Sequence, residues 1–369
     1  MILSPRSLGA AVSNVAHKML YGQVADLRPV PSEPVGDGPR GISLHRYRGP
    51  EGLIPAGPPV LFVPPPAIPA RCYDLRRGGS LAEHVVNAGR RSYLLDHGPL
   101  GPADRAGDAA EWVREVLPEA IGMVSRDAGG QPVQLVGWCA GGLVALLTAA
   151  AGPALPIASV AMVAAPVDPA GPGARVPPPP LGTRLARGVR AAVREAVRDA
   201  LPRPLAGPAG RLAALDDHLL RSLKLLVNID NTDFLAQIEA VDHFSNMFAD
   251  PSGSAVRRMY STLMPADAMA SGKAVIGGRP VELGRVGVPV LAIAGRDDAL
   301  APVGAVRPVT RLLPGAPEVR VEVVPGGHLG VLTGASARTT TWAHLDRWLD
   351  EGIVRHGIRP PRRDAAATV

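Results

Sequence analysis

The amino-acid sequence predicts an α/β fold, in which helices cover both faces of a mostly parallel sheet. Apolar segments of strand length alternate with helix-forming runs over most of the chain. Three of these strand segments end in loops that carry polar or nucleophilic side chains, and open parallel sheets bind their ligands at such strand ends. The chain has 369 residues, 46% of them hydrophobic, which is enough to bury one such core together with an inserted cap.

Composition and the positions of the apolar segments divide the chain into five parts. They are an N-terminal extension (residues 1–50), the first part of a core (51–168), an inserted α-rich cap (169–288), the second part of the core (289–354) and a basic disordered tail (355–369). The cap begins with the proline-rich loop Pro169–Pro180. Further on, between Leu185 and Arg198, leucine and valine recur every four residues among arginines, which predicts an amphipathic lid helix. Its arginine face is either a solvated surface or one that meets a hydrophobic particle, an anionic membrane or the phosphates of a ligand.

The most informative segment is a glycine turn between an apolar strand and a helix-forming run. It reads Gly137-Trp138-Cys139-Ala140-Gly141, which has the G-x-nucleophile-x-G spacing of an α/β-hydrolase nucleophile elbow with cysteine in place of serine. Glycine is needed at 137 and 141 because side chains there would collide in so sharp a turn. Cys139 would lie at a helix N-terminus, where the dipole favours a thiolate. The alternative is a plain strand-to-helix connection.

An acid and a histidine follow in the order that this fold requires. Asp298 comes after the strand candidate Pro289–Ala294, and His328 lies in the glycine-rich loop after Val319–Val324. Taken singly, Asp298 could be a turn or N-cap aspartate and His328 a solvated loop histidine. The three placements together predict a Cys139, Asp298 and His328 triad, with Asp297 as the competitor for the acid.

These motifs belong to a longer series of matches, from about Pro59 to about Trp348, through which the sequence resembles the polyhydroxyalkanoate synthases. The resemblance is to the short type that works with a partner subunit. The elbow matches that family's cysteine-containing lipase-like box, and Pro325–Gly330 matches its histidine loop. Asp298 is favoured over Asp297 because Pro302 follows it by four residues. Further matches are Val63–Pro65, Asp74-Leu75, Tyr93–Asp96, Ala165–Asp168, Asn228–Asp230, Phe234 and Ile276–Leu283.

The resemblance implies an α/β-hydrolase fold with a cap, and an enzyme that transfers a (3-hydroxy)acyl group from CoA to Cys139 and then to a hydroxyl acceptor. His328 would serve as general base and Asp298 would orient it. Acyl-CoA is then the substrate, and no cofactor or metal is expected. A partner subunit or a homodimer, and a polymer or lipid inclusion surface, are the partners that this resemblance suggests.

Two backbone N–H groups are expected to stabilise the oxyanion. One is that of Ala140, the residue after the nucleophile. The second should come from the loop after the early strand, where Pro64–Pro66 have no N–H to donate. Ala67 and Ile68 are the remaining candidates.

Three positions depart from the family pattern in the same way. Pro66 and His97 stand where the family usually has tryptophan, and a tryptophan expected near Asn246 is absent. Only 4% of the residues are aromatic, so aliphatic side chains would have to line the acyl pocket. These changes predict a reshaped acyl channel around unchanged acyl-transfer residues.

Two other functions remain open at this level. The same triad with water as acceptor would make a thioesterase or esterase, and a non-catalytic inclusion-surface protein would use the arginine-faced helix instead. A net charge of +6 at this length does not indicate nucleic-acid binding. With two cysteines there is no disulfide framework, Cys72 is expected to be a small buried apolar residue, and the cytoplasm is the expected compartment. No transmembrane segment is predicted.

Overall fold

The computed structural model of the protein describes residues 5–36, 38, 42–66, 68–98, 109–168, 228–247, 263 and 271–356. Within these ranges the strands are β1 (Ser32–Pro34), β2 (Ser43–Tyr47), β3 (Val60–Val63), β4 (Ser92–Asp96), β5 (Val133–Trp138), β6 (Ile157–Val163), β7 (Lys273–Ile276), β8 (Arg279–Glu282), β9 (Val290–Gly295) and β10 (Val319–Val324).

Eight of these strands form one sheet, in the order β1-β2-β4-β3-β5-β6-β9-β10. From β4 to β10 all neighbouring strands run parallel, whereas β1 and β2 are added at one edge as antiparallel strands. The predicted, mostly parallel sheet is therefore confirmed. The strand expected over Val319–Val324 has those bounds in the structure.

The α-helices of the described ranges are α1 (Pro5–Tyr21), α2 (Leu81–Asn87), α3 (Ala109–Glu111), α4 (Leu117–Asp127), α5 (Ala140–Ala151), α6 (Thr232–Asn246), α7 (Val303–Val306), α8 (Val309–Leu312), α9 (Gly330–Thr333) and α10 (Thr341–His356). A π-helical turn over Trp112–Val116 joins α3 to α4. No helix in this part of the chain has the length and apolar character needed to cross a membrane.

The core is centred on β5, β6 and α5. Every residue of β5 and β6 is buried, as expected for central parallel strands that are covered on both faces. Helix α5 is apolar on all sides and almost wholly buried, because it packs between this sheet and the π-helical turn. The strand and the helix that flank Cys139 are thus both held inside the core.

The sheet begins inside the segment predicted as an N-terminal extension. Strands β1 and β2 lie before residue 51, and β2 pairs with β4 from Ser43 opposite Asp96 to Arg46 opposite Tyr93. These edge strands are short and partly exposed, so their sequences lack the continuous apolar run of a central strand. That missing signal is why the sequence did not predict them.

Two described pieces of the predicted cap pack on the core. The hairpin β7–β8 turns at Gly277 and Gly278, which have φ values of 60° and 72°, and β8 packs against α5. Helix α6 is held by Arg76, whose guanidinium donates to the Asp233 carboxylate at 2.6 Å and to Gln237 Oε1 at 3.1 Å. The predicted domain boundaries remain predictions, and the proline-rich loop, the arginine-faced helix and the tail beyond residue 356 lie outside the described residues.

Candidate active site

The turn that carries Cys139 joins the end of β5 to the start of α5. Cys139 adopts φ 56° and ψ −126°, a conformation that L side chains rarely take and that is found where a fold holds a reactive residue in a strained turn. A Cβ at Gly137 would lie 2.5 Å from the Gly142 nitrogen, and one at Gly141 would overlap the Val63 carbonyl oxygen. Both glycines are therefore required by the close approach of backbone to backbone.

The Cys139 thiol lies at the positive end of a helix dipole. Cys139 precedes Ala140, the first residue of α5, and the first turn of this helix has no acidic residue to offset the dipole. The side chain is buried, so bulk water does not screen the dipole. A negative charge that develops on the sulfur or on a bound carbonyl oxygen is therefore stabilised at this position.

Asp298 and His328 meet at the ends of β9 and β10. The Asp298 Oδ2 atom lies 2.8 Å from His328 Nδ1, and Oδ1 accepts hydrogen bonds from the Leu300 and Ala301 N–H groups at 2.8 Å each. Both side chains are buried. Three donors thus surround one carboxylate, which holds the carboxylate in place and fixes the orientation of the imidazole.

Asp297 has different surroundings from its neighbour. It is exposed, and its Oδ2 atom accepts from the Gly326 N–H at 3.4 Å. Its own N–H donates to the Gly326 carbonyl oxygen at 3.3 Å. Asp297 therefore links the loops after β9 and β10, while Asp298 contacts the histidine.

His328 lies between the carboxylate and the thiol. Burial alone would lower the pKa of His328, but the negative charges of Asp298 and Cys139, and hydrogen bonds to both side chains, raise it well above its usual range. Because Nδ1 is bonded to Asp298, the hydrogen bond with Cys139 uses the other ring nitrogen, Nε2. The arrangement favours the protonated, positively charged form of the His328 ring.

Two residues that the sequence analysis did not single out complete the surroundings of the elbow. The indole Nε1–H of Trp138 donates to the His328 carbonyl oxygen at 2.9 Å. The backbone N–H of Trp138 donates to the Tyr73 hydroxyl oxygen at 2.7 Å. Trp138 could have been found from its place inside the elbow, whereas no sequence pattern indicates Tyr73.

Of the three residues expected to donate to the oxyanion, the structure describes two, Ala140 and Ile68. The Ala140 N–H is the first of α5 and has no acceptor within the helix, as at any helix start. The Ile68 N–H donates to the Pro65 carbonyl oxygen at 3.0 Å and is engaged within its own turn. Ala67, the other candidate, lies outside the described residues.

The three positions that depart from the family pattern, Pro66, His97 and Asn246, lie in different parts of the structure. His97 has one ring nitrogen 2.8 Å from the Ile68 carbonyl oxygen and the other 3.0 Å from the Gly98 carbonyl oxygen. Pro66 is buried, whereas Asn246 is exposed at the end of α6. His97 thus contacts the loop after β3, from which the second oxyanion donor was expected.

Cys72 is buried in the core and is not bonded to Cys139 through a disulfide. Burial raises the pKa of the Cys72 thiol well above its usual value, with the nearby charge of Cys139 acting in the same direction. The thiol form of Cys72 is therefore favoured. Among the described residues, no group of three or more histidine, cysteine, aspartate or glutamate side chains is placed to hold a metal ion.

Comparison with known families places this geometry in a wider context. A family model described as the alpha/beta hydrolase fold matches residues 58–335, which is most of the chain. A solved structure, an alpha/beta hydrolase fold protein from Nakamurella multipartita, superposes with a TM-score of 0.50 and 16% identity, covering 87% of this chain and all of the other. At that identity the structural match shows the fold alone.

Two curated relatives are similar over most of their length. The chain is 26% identical over 355 residues to the poly(3-hydroxyalkanoate) polymerase subunit PhaC of Allochromatium vinosum, with 94% of each chain covered. It is 24% identical over 321 residues to the protein of the same name from Thiocystis violacea, with 84% of this chain and 85% of the relative covered. The resemblance found from the motifs is thus confirmed over most of the sequence.

Proposed function

This chain belongs to the α/β-hydrolase fold family, and on that basis we propose that it is an acyltransferase of the polyhydroxyalkanoate-synthase type. One observation carries the proposal, namely the hydrogen-bonded series from Cys139 through His328 to Asp298 at the carboxyl ends of the parallel strands. The curated relatives named as polymerase subunits support the choice of acyl transfer. Acyl-CoA is the proposed donor and a hydroxyl group is the proposed acceptor.

In the first half of the proposed reaction, the Cys139 thiolate attacks the thioester carbonyl carbon of an acyl-CoA. A carbon–sulfur bond forms to Cys139, and the carbonyl π electrons move to the oxygen, where the Ala140 N–H donates. As the carbonyl re-forms, the bond to the CoA sulfur breaks and the leaving thiolate takes the proton from His328. One thioester has replaced another, so the acyl-enzyme keeps its reactivity.

In the second half, neutral His328 takes the proton of an acceptor hydroxyl as that oxygen attacks the acyl-enzyme. The ester bond forms, the bond to Cys139 breaks, and the thiolate leaves beside the imidazolium. Asp298 stabilises the positive charge and holds the ring so that Nε2 faces the reacting groups. The resting charge distribution is thereby restored.

The proposal is tested by incubating the purified chain with short and long (3-hydroxy)acyl-CoA donors, measuring intact mass, and separating the released products by chromatography. An acyl adduct on Cys139 and an ester product are expected. Cys139→Ala should abolish the adduct while the protein stays folded. Cys72→Ala, which removes the other thiol, is the matched control and should keep most activity.

Three outcomes would contradict the proposal. Free acid as the sole product would show a thioesterase with water as the acceptor. A dead Cys72 variant beside an active Cys139 variant would overturn the choice of nucleophile. Absence of any adduct with donors of several lengths would exclude acyl transfer altogether.

A further inference from the structure

Trp138 joins two elements of the site that are far apart in the sequence. It is the last residue of β5, directly before Cys139, and its side chain is buried. Its indole N–H donates to the backbone carbonyl of His328, 190 residues away, at 2.9 Å. Its ring lies against the imidazole, with 5.1 Å between the centroids and 44° between the planes. A single side chain therefore contacts both the backbone and the ring of His328.

The position of Trp138 is itself held by a buried hydroxyl. Strand β3 ends at Val63, opposite Gly137, so its ladder with β5 stops before Trp138. The Tyr73 hydroxyl oxygen accepts from the Trp138 N–H at 2.7 Å and lies 2.8 Å from the Val63 carbonyl oxygen and 3.2 Å from that of Val136. The Tyr73 hydroxyl thus bridges β3 and β5 at the point where β3 leaves the ladder.

We propose that Trp138 is a positioning residue that holds His328 in register with Cys139 and stabilises the positively charged form of its ring. The indole N–H fixes the carbonyl of His328, and the aromatic ring lies within the roughly 6 Å at which aromatic rings attract cations. Among the described residues, the titratable side chains that act on His328 are Asp298, from the loop after β9, and Cys139, from the elbow. The inference rests on the roles proposed for Cys139 and His328.

The protein contains a second arrangement of the same kind, outside the proposed site. The Trp342 Nε1–H donates to the Leu332 carbonyl oxygen at 2.9 Å, and its ring lies 4.9 Å from that of His84. His84 Nε2 in turn lies 2.8 Å from the Asp346 carboxylate. Trp342→Phe therefore removes a buried indole hydrogen bond beside a histidine–aspartate pair that is more exposed than His328 and Asp298, and it provides a control for Trp138→Phe.

The experiment measures the rate of Cys139 alkylation by iodoacetamide from pH 5 to pH 9 in a Cys72→Ala background, together with thermal unfolding. This readout follows the thiolate and does not depend on acyl transfer. Trp138→Phe should slow alkylation at neutral pH about tenfold and raise the apparent pKa of the profile by about one unit. Trp342→Phe should lower the unfolding temperature to a similar degree and leave the alkylation profile unchanged.

Tyr73→Phe provides an independent route if Trp138→Phe does not fold. This substitution keeps the aromatic ring of residue 73 and removes the hydroxyl group that accepts from the Trp138 N–H. It should shift the pH profile of Cys139 alkylation in the same direction as Trp138→Phe, by a smaller amount. The proposal is overturned if both Trp138→Phe and Tyr73→Phe give the unmodified profile, or if Trp342→Phe shifts it equally. A shifted profile in a chain that never forms an acyl adduct would uphold the positioning role and reject the proposed reaction.

Discussion

At the scale of single residues, two adjacent aspartates show how surroundings assign a role. Asp298 is buried and accepts from two backbone N–H groups while it contacts His328. Asp297 is exposed and contacts Gly326. The side chains are chemically identical, so the difference between them comes from the direction in which each leaves the loop after β9.

Asp298→Asn is expected to reduce acyl transfer on the order of 10⁴-fold, as in the serine-triad precedent, because an amide favours the wrong imidazole tautomer. Removing the negative charge should also lower the pKa of His328, since this charge is one of the causes that raise it. The rate of acyl-enzyme formation should be measured against pH. Asp297→Asn is the neighbouring control and should have a mild effect, whereas equal losses from the two variants would contradict the assignment of the acid.

At the scale of elements, the elbow depends on the contact between β3 and the first turn of α5. Gly141 lies so close to the Val63 carbonyl oxygen that even a methyl group would overlap it. Both elements are buried, and interiors packed to native density relax only partly around such an overlap. The geometry of the nucleophile is therefore set by packing between elements as well as by the turn itself.

Gly141→Ala is expected to displace the start of α5 and to abolish acylation of Cys139, with a marked loss of thermal stability. Gly122→Ala in α4 is the matched control. A Cβ there would lie 3.3 Å from the end of the Arg126 side chain, which is flexible and can move away at little cost. The gain in helix propensity, about 0.5–1 kcal/mol, should exceed that cost, so this variant should be at least as stable as the unmodified protein. Unfolding temperature and adduct formation should be measured for both, and an active, stable Gly141 variant would show that the described contact is wrong.

At the scale of the whole molecule, the proposed acyl channel is expected to determine which product is released. Tryptophan buries on the order of 150–250 Å² of rigid surface. This chain lacks the tryptophans that the family usually has at positions 66 and 97 and near 246, and their absence should widen or reshape a channel. His97 bonds to the carbonyl of Ile68 beside the proposed site, whereas Asn246 is exposed on α6. Of these two, His97 is thus the one that contacts the loop expected to supply the second oxyanion donor.

The purified chain alone is expected to transfer acyl groups to small acceptors, or to hydrolyse them slowly, rather than to make long polymer. Size-exclusion chromatography of the products, with and without a candidate partner subunit, would measure this. High-molecular-weight polyester from the chain alone would contradict the prediction and would show that the missing tryptophans do not limit chain growth.

The sequence by itself determined the features that depend on short stretches of chain and on the order of motifs along it. The glycine spacing around Cys139 predicts a sharp strand-to-helix turn because steric collisions within five residues decide it. Long apolar runs predict the central strands for a similar reason, since a strand covered on both faces has no polar side. The order of Cys139, Asp298 and His328 follows from the connection of successive strands.

Only the tertiary structure decided which residues meet across the fold. The contact of Trp138 with His328 spans 190 residues, and that of Tyr73 with Trp138 spans 65. Such pairs depend on how β3 and β5 are aligned and on where the loop after β10 lies. No local sequence pattern encodes these relations. The edge strands β1 and β2 were missed for a related reason. β1 pairs with β2, and β2 pairs with β4, through backbone hydrogen bonds that leave little trace in the pattern of side chains.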